Sequence, residues 1–119
     1  EETGVETKLV GVVSLRHTHG LRFGVGDLYV LVKLMADSTA LTIDRNELLD
    51  AKWMSPATIA SLVVPPGVSL DGKVSQANGT MINNALTGNL ILGTPLPSSR
   101  GPRPAMLYTA PPPSPSANL

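Results

Sequence analysis

The chain has 119 residues, 42% of them hydrophobic, with nine Lys or Arg residues balanced by nine Asp or Glu residues. That length allows at most one small domain. The balanced charge does not favour nucleic acid as a partner. The apolar runs fall short of the ~20 residues that span a bilayer, so they do not favour a membrane either. Because the chain lacks cysteine, a metal site would have to use oxygen or imidazole ligands.

The distribution of proline divides the chain into two parts. Eight of the eleven prolines lie after Gly93, where Pro, Ser and Ala dominate, and such composition is typical of flexible or polyproline II segments. We therefore expect a folded part at residues 1–92 and a disordered tail at residues 93–119.

The first third of the chain predicts the end of a helix followed by two strands. Glu1–Thr3 is interpreted as a last helical turn, with Gly4 in the left-handed conformation that often ends a helix. The apolar, β-branched run at residues 8–17 predicts a largely buried strand. Residues 18–26 form a glycine-rich connection, and residues 27–35 predict a second strand, antiparallel to the first.

The middle of the chain predicts a third strand and two helices. A short strand is expected at residues 40–43 and a longer one at residues 47–54, where Trp53 is interpreted as a core residue in preference to a stacking platform. Ser55, followed by proline, predicts the cap and first position of a short helix. Apolar spacing over residues 72–88 predicts an amphipathic helix, although its internal glycine weakens it by about 1 kcal/mol relative to alanine.

This order of elements, together with the residues that carry it, resembles the C-terminal part of a Nudix hydrolase. The opening residues Glu1–Val5 match the final E-E-x-G-U of the Nudix box, G-x5-E-x7-R-E-U-x-E-E-x-G-U, where U is aliphatic. The stretches "LRHTHGLRFGVGDLYVLVKL" and "ELLDAKWMSPATI" are similar to the subgroup of plant ADP-ribose/NADH pyrophosphatases and animal antisense-fibroblast-growth-factor Nudix proteins. The resemblance covers residues 1–62 well, residues 73–88 loosely and the tail not at all.

The resemblance implies an α/β fold, namely an α/β/α sandwich with a mixed sheet. The first glycine, first glutamate and Arg–Glu pair of the box would precede residue 1, so we expect the chain to begin inside the box and the domain to be incomplete at its N-terminus. The remaining sheet is then expected to expose edges and one apolar face, so that the polypeptide alone aggregates or stays loosely folded.

The resemblance also implies hydrolysis of a nucleoside diphosphate linked to another moiety, with Mg²⁺ or Mn²⁺ as cofactor. The family's three glutamates at i, i+3 and i+4 share one helical face and can converge on a metal. Glu1 and Glu2 would be the last two of these ligands, with Glu2 also catalytic. The glutamate at position i is missing, so we expect impaired function in this chain. The alternative interpretation of Glu1 and Glu2 is a solvated acidic terminus.

Glu47 has two interpretations. The resemblance implies a catalytic base or an additional metal ligand at the start of the third strand. The alternative, which we favour, is a structural role in which the glutamate accepts backbone N–H bonds in the preceding loop.

Candidate substrate-binding residues flank the glycine-rich connection. Arg16 offers a bidentate fork for phosphate, and His17 and His19 could donate hydrogen bonds to it or stack on a base. Their i, i+2 spacing would also allow a metal pair, but no third ligand is evident nearby and substrate binding is preferred. Phe23 could pack on an adenine or anchor the loop, and a solvated loop with a structural arginine is the alternative for Arg16.

Three functional hypotheses follow. The first is a pyrophosphohydrolase acting on ADP-ribose or NADH, with a nucleotide-type small molecule as partner and a homodimer in the full-length parent. The second is a truncated, non-catalytic remnant or gene-model fragment, and the third is an interaction module that uses the proline-rich segment Pro111–Pro115. Localisation is left unknown, with the cytoplasm as the default, because the true N-terminus and any targeting segment are expected to precede residue 1.

Overall fold

The computed structural model describes residues 1–20, 22–96 and 101–110. Two long strands dominate, and two helices and two pairs of short strands follow them. In chain order the elements are β1 (Thr7–Thr18), a 3-10 turn (Arg22–Gly24), β2 (Asp27–Ala36), α1 (Pro56–Leu62), β3 (Val63–Val64), β4 (Val74–Ser75), α2 (Gln76–Thr87), β5 (Gly93–Leu96) and β6 (Ala105–Tyr108).

The two long strands pair antiparallel, which confirms the first two predicted strands to within one residue at each end. Register shifts between Leu9 and Gly11 and between Val12 and Ser14 insert an extra residue into β1 at two places. The other edge of β1 is met by Ile91, whose backbone exchanges two hydrogen bonds of 2.8 and 2.9 Å with Val12. β1 is therefore the central strand of this part of the molecule.

Helix α2 covers one face of the β1–β2 ladder. The Arg16 guanidinium donates to the Asn78 side chain at 3.3 Å, and the Lys33 ammonium donates to the Ala85 carbonyl at 2.9 Å. That carbonyl lies in the last helical turn, where acceptors lack intrahelical partners and positive charge is stabilising. Val13 and Met81 are the only apolar side chains of the described residues that are buried, at 8% and 9% exposure.

The opposite face of the same ladder is apolar and open. The pairing register and the alternation of β2 place six large apolar residues there, each between 40% and 63% exposed: Leu9, Leu15, Leu28, Val30, Val32 and Leu34. This agrees with the expectation of one uncovered apolar face.

Both helices begin at serine caps. The Ser55 hydroxyl accepts from the Thr58 N–H at 3.2 Å with proline following, as predicted for α1. The Ser75 hydroxyl accepts from the Asn78 N–H at 3.2 Å, so α2 begins at Gln76 instead of the predicted residue 72. The residues immediately before it, Val74–Ser75, form β4 and pair in parallel with β3.

Close packing explains the glycine inside α2. A Cβ atom at Gly79 would lie 2.8 Å from a methyl carbon of Val63, closer than side chains tolerate. The lower helix propensity of glycine at this position is therefore offset by the close approach of β3. Gly88, in the left-handed conformation with φ of 81°, caps the C-terminus of the helix.

The predicted strands at residues 40–43 and 47–54 are wrong. The chain turns at Asp44 instead: the Asp44 carbonyl accepts from the N–H groups of Glu47 and Leu48, and its side chain accepts from the Asn46 N–H at 2.9 Å. A short acidic side chain that bonds to the backbone two residues on favours a turn over an extended ladder. Leu49 is consequently 94% exposed.

The prediction that the chain is irregular from Gly93 onward is also wrong for eight residues. β5 and β6 pair antiparallel, with Gly93 opposite Tyr108 and Leu96 opposite Ala105. Composition pointed to disorder, but the local apolar run "AMLY" provides strand-forming residues within the proline-rich region. The segment Pro111–Pro115 lies outside the described residues.

The combination of helices with parallel and antiparallel strand pairs is α/β, as expected. Within the described residues the strands form three separate two-stranded sheets, and the complete α/β/α sandwich remains a prediction. None of the described helices has the length and apolar character needed to cross a membrane.

Candidate functional site

Backbone hydrogen bonds join the N-terminal segment to the turn that precedes Glu47. The Asp44 N–H donates to the Glu2 carbonyl at 2.8 Å, and the Thr42 N–H donates to the Thr3 carbonyl at 2.8 Å. Asp44 then accepts from the Glu47 N–H at 3.1 Å. Asp44 therefore links the backbone of Glu2 to the backbone of Glu47 through two hydrogen bonds. We call Glu1, Glu2, Asp44 and Glu47 the acidic end of the molecule.

Gly4 helps to set this arrangement. Its φ of 69° is the predicted left-handed conformation, and its N–H donates to the Glu1 carbonyl at 3.3 Å. Residues 2 and 3 form a turn, not a regular helical turn. A Cβ at Gly4 would lie 3.0 Å from the Thr42 side chain, so glycine also permits the N-terminal segment to lie against residues 42–44.

The chemistry of the acidic end suits a hard divalent cation, but its geometry does not complete a site. Carboxylate oxygens are the ligands that Mg²⁺ prefers. All four side chains are exposed, and in the described part of the chain no group of three or more His, Cys, Asp or Glu residues is placed to hold a metal ion. The predicted Glu1–Glu2 ligand pair is therefore not part of a complete coordination sphere among these residues.

A shallow apolar hollow of about 340 Å³ lies beside the acidic end, at one end of the open face of the ladder. The Trp53 indole N–H donates to the Thr39 carbonyl at 2.8 Å, which fixes the ring, and the residue is 56% exposed. The interpretation of Trp53 as core is therefore wrong. Residues that line the hollow include Thr3, Val5, Leu34, Leu41, Lys52 and Trp53.

Arg16 lies on the face of the ladder that α2 covers. Besides its bond to Asn78, its guanidinium stacks over the Tyr29 ring at 4.8 Å from the centroid. Its Nε atom is buried and, like the Ser14 hydroxyl on the same face, has no hydrogen-bond partner among the described residues. Arg16 is thus engaged in joining β1 to α2, a structural role that was the alternative to phosphate binding.

His17 and His19 lie elsewhere. His17 is opposite Leu28 on the open face, because adjacent strand residues point to opposite sides. The two imidazole rings meet with centroids 4.0 Å apart. Phe23, in the turn that connects β1 to β2, is 92% exposed and has a φ of 63°.

The predicted site residues therefore do not form one constellation. Ten residues of strand separate Thr7, near the acidic end, from His17, and at about 3.3 Å per residue this is roughly 30 Å. The residues predicted to bind substrate and those predicted to bind metal cannot meet at one phosphorus atom in this arrangement. Sequence reasoning missed Asp44, whose signal was an Asp followed by Arg-Asn in a polar connection, a composition that favours turns.

The chain matches two curated plant enzymes. It is 41% identical over 54 residues to Nudix hydrolase 8 of Arabidopsis thaliana and 35% identical over 54 residues to Nudix hydrolase 2 of the same plant. The chain is related to the Nudix hydrolases. Each match includes 45% of this chain but only 15% and 19% of the respective relative, so the chain spans less than a fifth of their length. No protein-family profile matches it.

Proposed function

We propose that the chain is part of a Nudix-type pyrophosphohydrolase that cleaves a nucleoside diphosphate linked to another moiety, with ADP-ribose or NADH as the substrate. The observation that carries this proposal is the identity to two Nudix hydrolases. The hydrogen bonds of Asp44 support it, because they join the two backbone segments that carry the carboxylates predicted for cation-assisted diphosphate hydrolysis.

Each part of the acidic end has a role in this proposal. Glu1 and Glu2 supply carboxylate oxygens for Mg²⁺ or Mn²⁺, which would neutralise charge on the phosphate oxygens. Glu47, whose segment is joined to that of Glu2 through Asp44, would add a further carboxylate or accept a proton. The hollow beside Trp53 falls within the size range of small-molecule sites, about 300–1,000 Å³, and could receive the apolar part of a nucleotide.

A segment exchange tests the proposal. Residues 1–62, which carry the resemblance, replace the corresponding part of Nudix hydrolase 8, and the hybrid is assayed on every nucleoside diphosphate derivative that the unaltered enzyme cleaves, with ADP-ribose and NADH included. We expect the hybrid to retain turnover with Mg²⁺ or Mn²⁺. The substitution Glu2→Gln should lower it by a factor of about 100 or more, which is the scale of losing an essential acid, base or metal ligand.

The substitution Glu47→Gln in the same hybrid separates its two interpretations. A loss comparable with that of Glu2→Gln supports a catalytic role, whereas unchanged turnover leaves Glu47 as a structural residue of the Asp44 turn. Glu6→Gln, at an exposed carboxylate of the exchanged segment, is the control made in the same hybrid, and it should leave turnover unchanged.

A specific observation favours the second hypothesis, a non-catalytic remnant: the described residues contain no three-ligand group. A hybrid that folds but cleaves none of the derivatives accepted by unaltered Nudix hydrolase 8 would establish it. A hybrid that cleaves other derivatives, but neither ADP-ribose nor NADH, would retain the reaction type and reject the proposed substrates.

A further inference from the structure

We infer that His17 and His19 form a two-imidazole site for a borderline first-row transition-metal ion, such as Cu²⁺, Ni²⁺ or Zn²⁺. This site is distinct from the carboxylate site of the proposed function and does not depend on it. It lies at the opposite end of β1 from the acidic end, roughly 30 Å away along the strand at about 3.3 Å per residue.

The geometry of the two rings carries the inference. Nitrogen ligands lie about 2.0–2.1 Å from Zn²⁺ and about 1.2 Å from their own ring centroids, so two imidazoles at a tetrahedral angle on one ion have centroids about 5 Å apart. The ring centroids of His17 and His19 are 4.0 Å apart, and the rings are tilted at 54° instead of being stacked in parallel. Side-chain rotations that separate the two rings by about 1 Å would therefore direct one nitrogen from each ring toward a common ion.

The backbone holds the pair in place. Residues at i and i+2 of an extended chain point to the same side, and His17 lies within the paired part of β1, opposite Leu28. Thr18 is the last ladder residue, paired with Asp27, so His19 follows the ladder directly. A chelate on a paired strand loses less conformational entropy on binding than two histidines on a free loop.

Ligand chemistry selects the ion. Neutral imidazole suits Cu²⁺, Ni²⁺ and Zn²⁺, whereas Mg²⁺ prefers carboxylate and water oxygens. Both histidines are exposed, so water can occupy the remaining coordination positions. Because no third His, Cys, Asp or Glu joins them in the described residues, the affinity should follow the order of a simple two-nitrogen site, with Cu²⁺ bound more tightly than Ni²⁺ or Zn²⁺.

Metal titration of the full 119-residue chain, without any added histidine tag, tests the site. Zn²⁺ binding is measured by calorimetry, and Ni²⁺ or Cu²⁺ binding by paramagnetic broadening of the imidazole proton resonances, which in this chain arise only from His17 and His19. We expect one equivalent of ion to bind, both histidines to broaden together, and Mg²⁺ to leave their resonances unchanged.

Single substitutions distinguish a chelate from two independent ligands. Once one imidazole holds the ion, the second imidazole faces it at an effective concentration on the order of millimolar, which strengthens binding. His17→Gln and His19→Gln each remove this second contact and should weaken binding by about tenfold or more. The matched control Lys73→Gln should bind as the unaltered chain does. Both histidines are exposed, so these substitutions should leave the circular dichroism spectrum unchanged.

Three results would overturn the inference: unchanged affinity in either histidine variant, broadening of only one ring, or Mg²⁺ competing at equal concentration. Failure of the site would leave the proposed hydrolase function unaffected, since the hybrid enzyme is assayed through Glu2 and Glu47. Loss of hydrolase activity would in turn leave the metal titration unchanged.

Discussion

Both faces of the β1–β2 ladder carry apolar residues, but only one of them is covered. On the α2 side, Val13 and Met81 are buried, and Arg16 and Lys33 are both hydrogen-bonded to the helix. On the other side, apolar residues such as Leu15 and Leu28 remain more than 60% exposed. Strands that are apolar on both faces are typical of sheets with helices on both sides.

That difference shows where the described residues have a core and where they do not. Exposed apolar patches of this kind mark surfaces that pack against something else or cause aggregation. The hollow and His17 both lie on the open face. Arg16 alone among the predicted site residues lies on the covered face and has a packing role.

The largest effect should come from removing the core of the covered face. Met81→Ala deletes a buried side chain between α2 and the ladder and should destabilise the docked helix by about 2–5 kcal/mol, the range for such cavities. Leu28→Ala, on the open face, should change stability by less than about 1 kcal/mol, since little apolar area leaves the interior. Amide hydrogen exchange across α2 measures both. Equal loss of protection in the two variants would show that the faces do not differ as described.

The elements that sequence predicted well are those with strong local signals. Alternating or continuous β-branched residues identified β1 and β2, and serine at the cap position identified α1. These features depend on neighbouring residues, so no tertiary information was needed. The left-handed Gly4 was found for the same reason.

The elements that were mispredicted depend on contacts distant in sequence. Residues 47–54 contain enough apolar side chains for a strand, but they have no strand to pair with in the described residues, and the Asp44 turn prevails. Likewise, the periodicity of α2 did not reveal that Val74–Ser75 pairs with β3. The separation of Arg16 from His17 followed from strand alternation, but which face α2 would cover was not predictable from alternation alone.

The open face can be altered without disturbing the covered one. Leu15 and Val30 are directly opposite each other, so the double substitution Leu15→Glu with Val30→Lys introduces an opposite-charge pair across the strands, worth about 0.2–1 kcal/mol. We expect less aggregation and weaker binding of a hydrophobic dye, with the circular dichroism spectrum retained.

The matched change on the covered face is Val13→Thr, which buries a hydroxyl group and should destabilise the packing of this face by about 1–3 kcal/mol. Unaltered aggregation of the Leu15/Val30 variant would mean that the open face is not its source. A sharp cooperative unfolding transition of the unaltered chain would contradict the expectation that the polypeptide alone is loosely folded.

The smallest effect concerns the edge of the covered face, where α2 approaches β3. Gly79→Ala raises helix propensity by about 1 kcal/mol, but its Cβ would lie 2.8 Å from a Val63 methyl carbon, and overpacking costs about 1–3 kcal/mol. The net effect in the unaltered chain should therefore be destabilising, by about 1 kcal/mol.

In a Val63→Ala background the methyl carbons are gone, and the same substitution should stabilise α2 by about the propensity difference. Amide hydrogen exchange of α2 in the four variants of this cycle gives both values, and the change of sign is the diagnostic result. If alanine at position 79 stabilised the helix in both backgrounds, the glycine would not be required by the approach of β3, and the packing of α2 against this edge would have to be looser than the Gly79–Val63 geometry indicates.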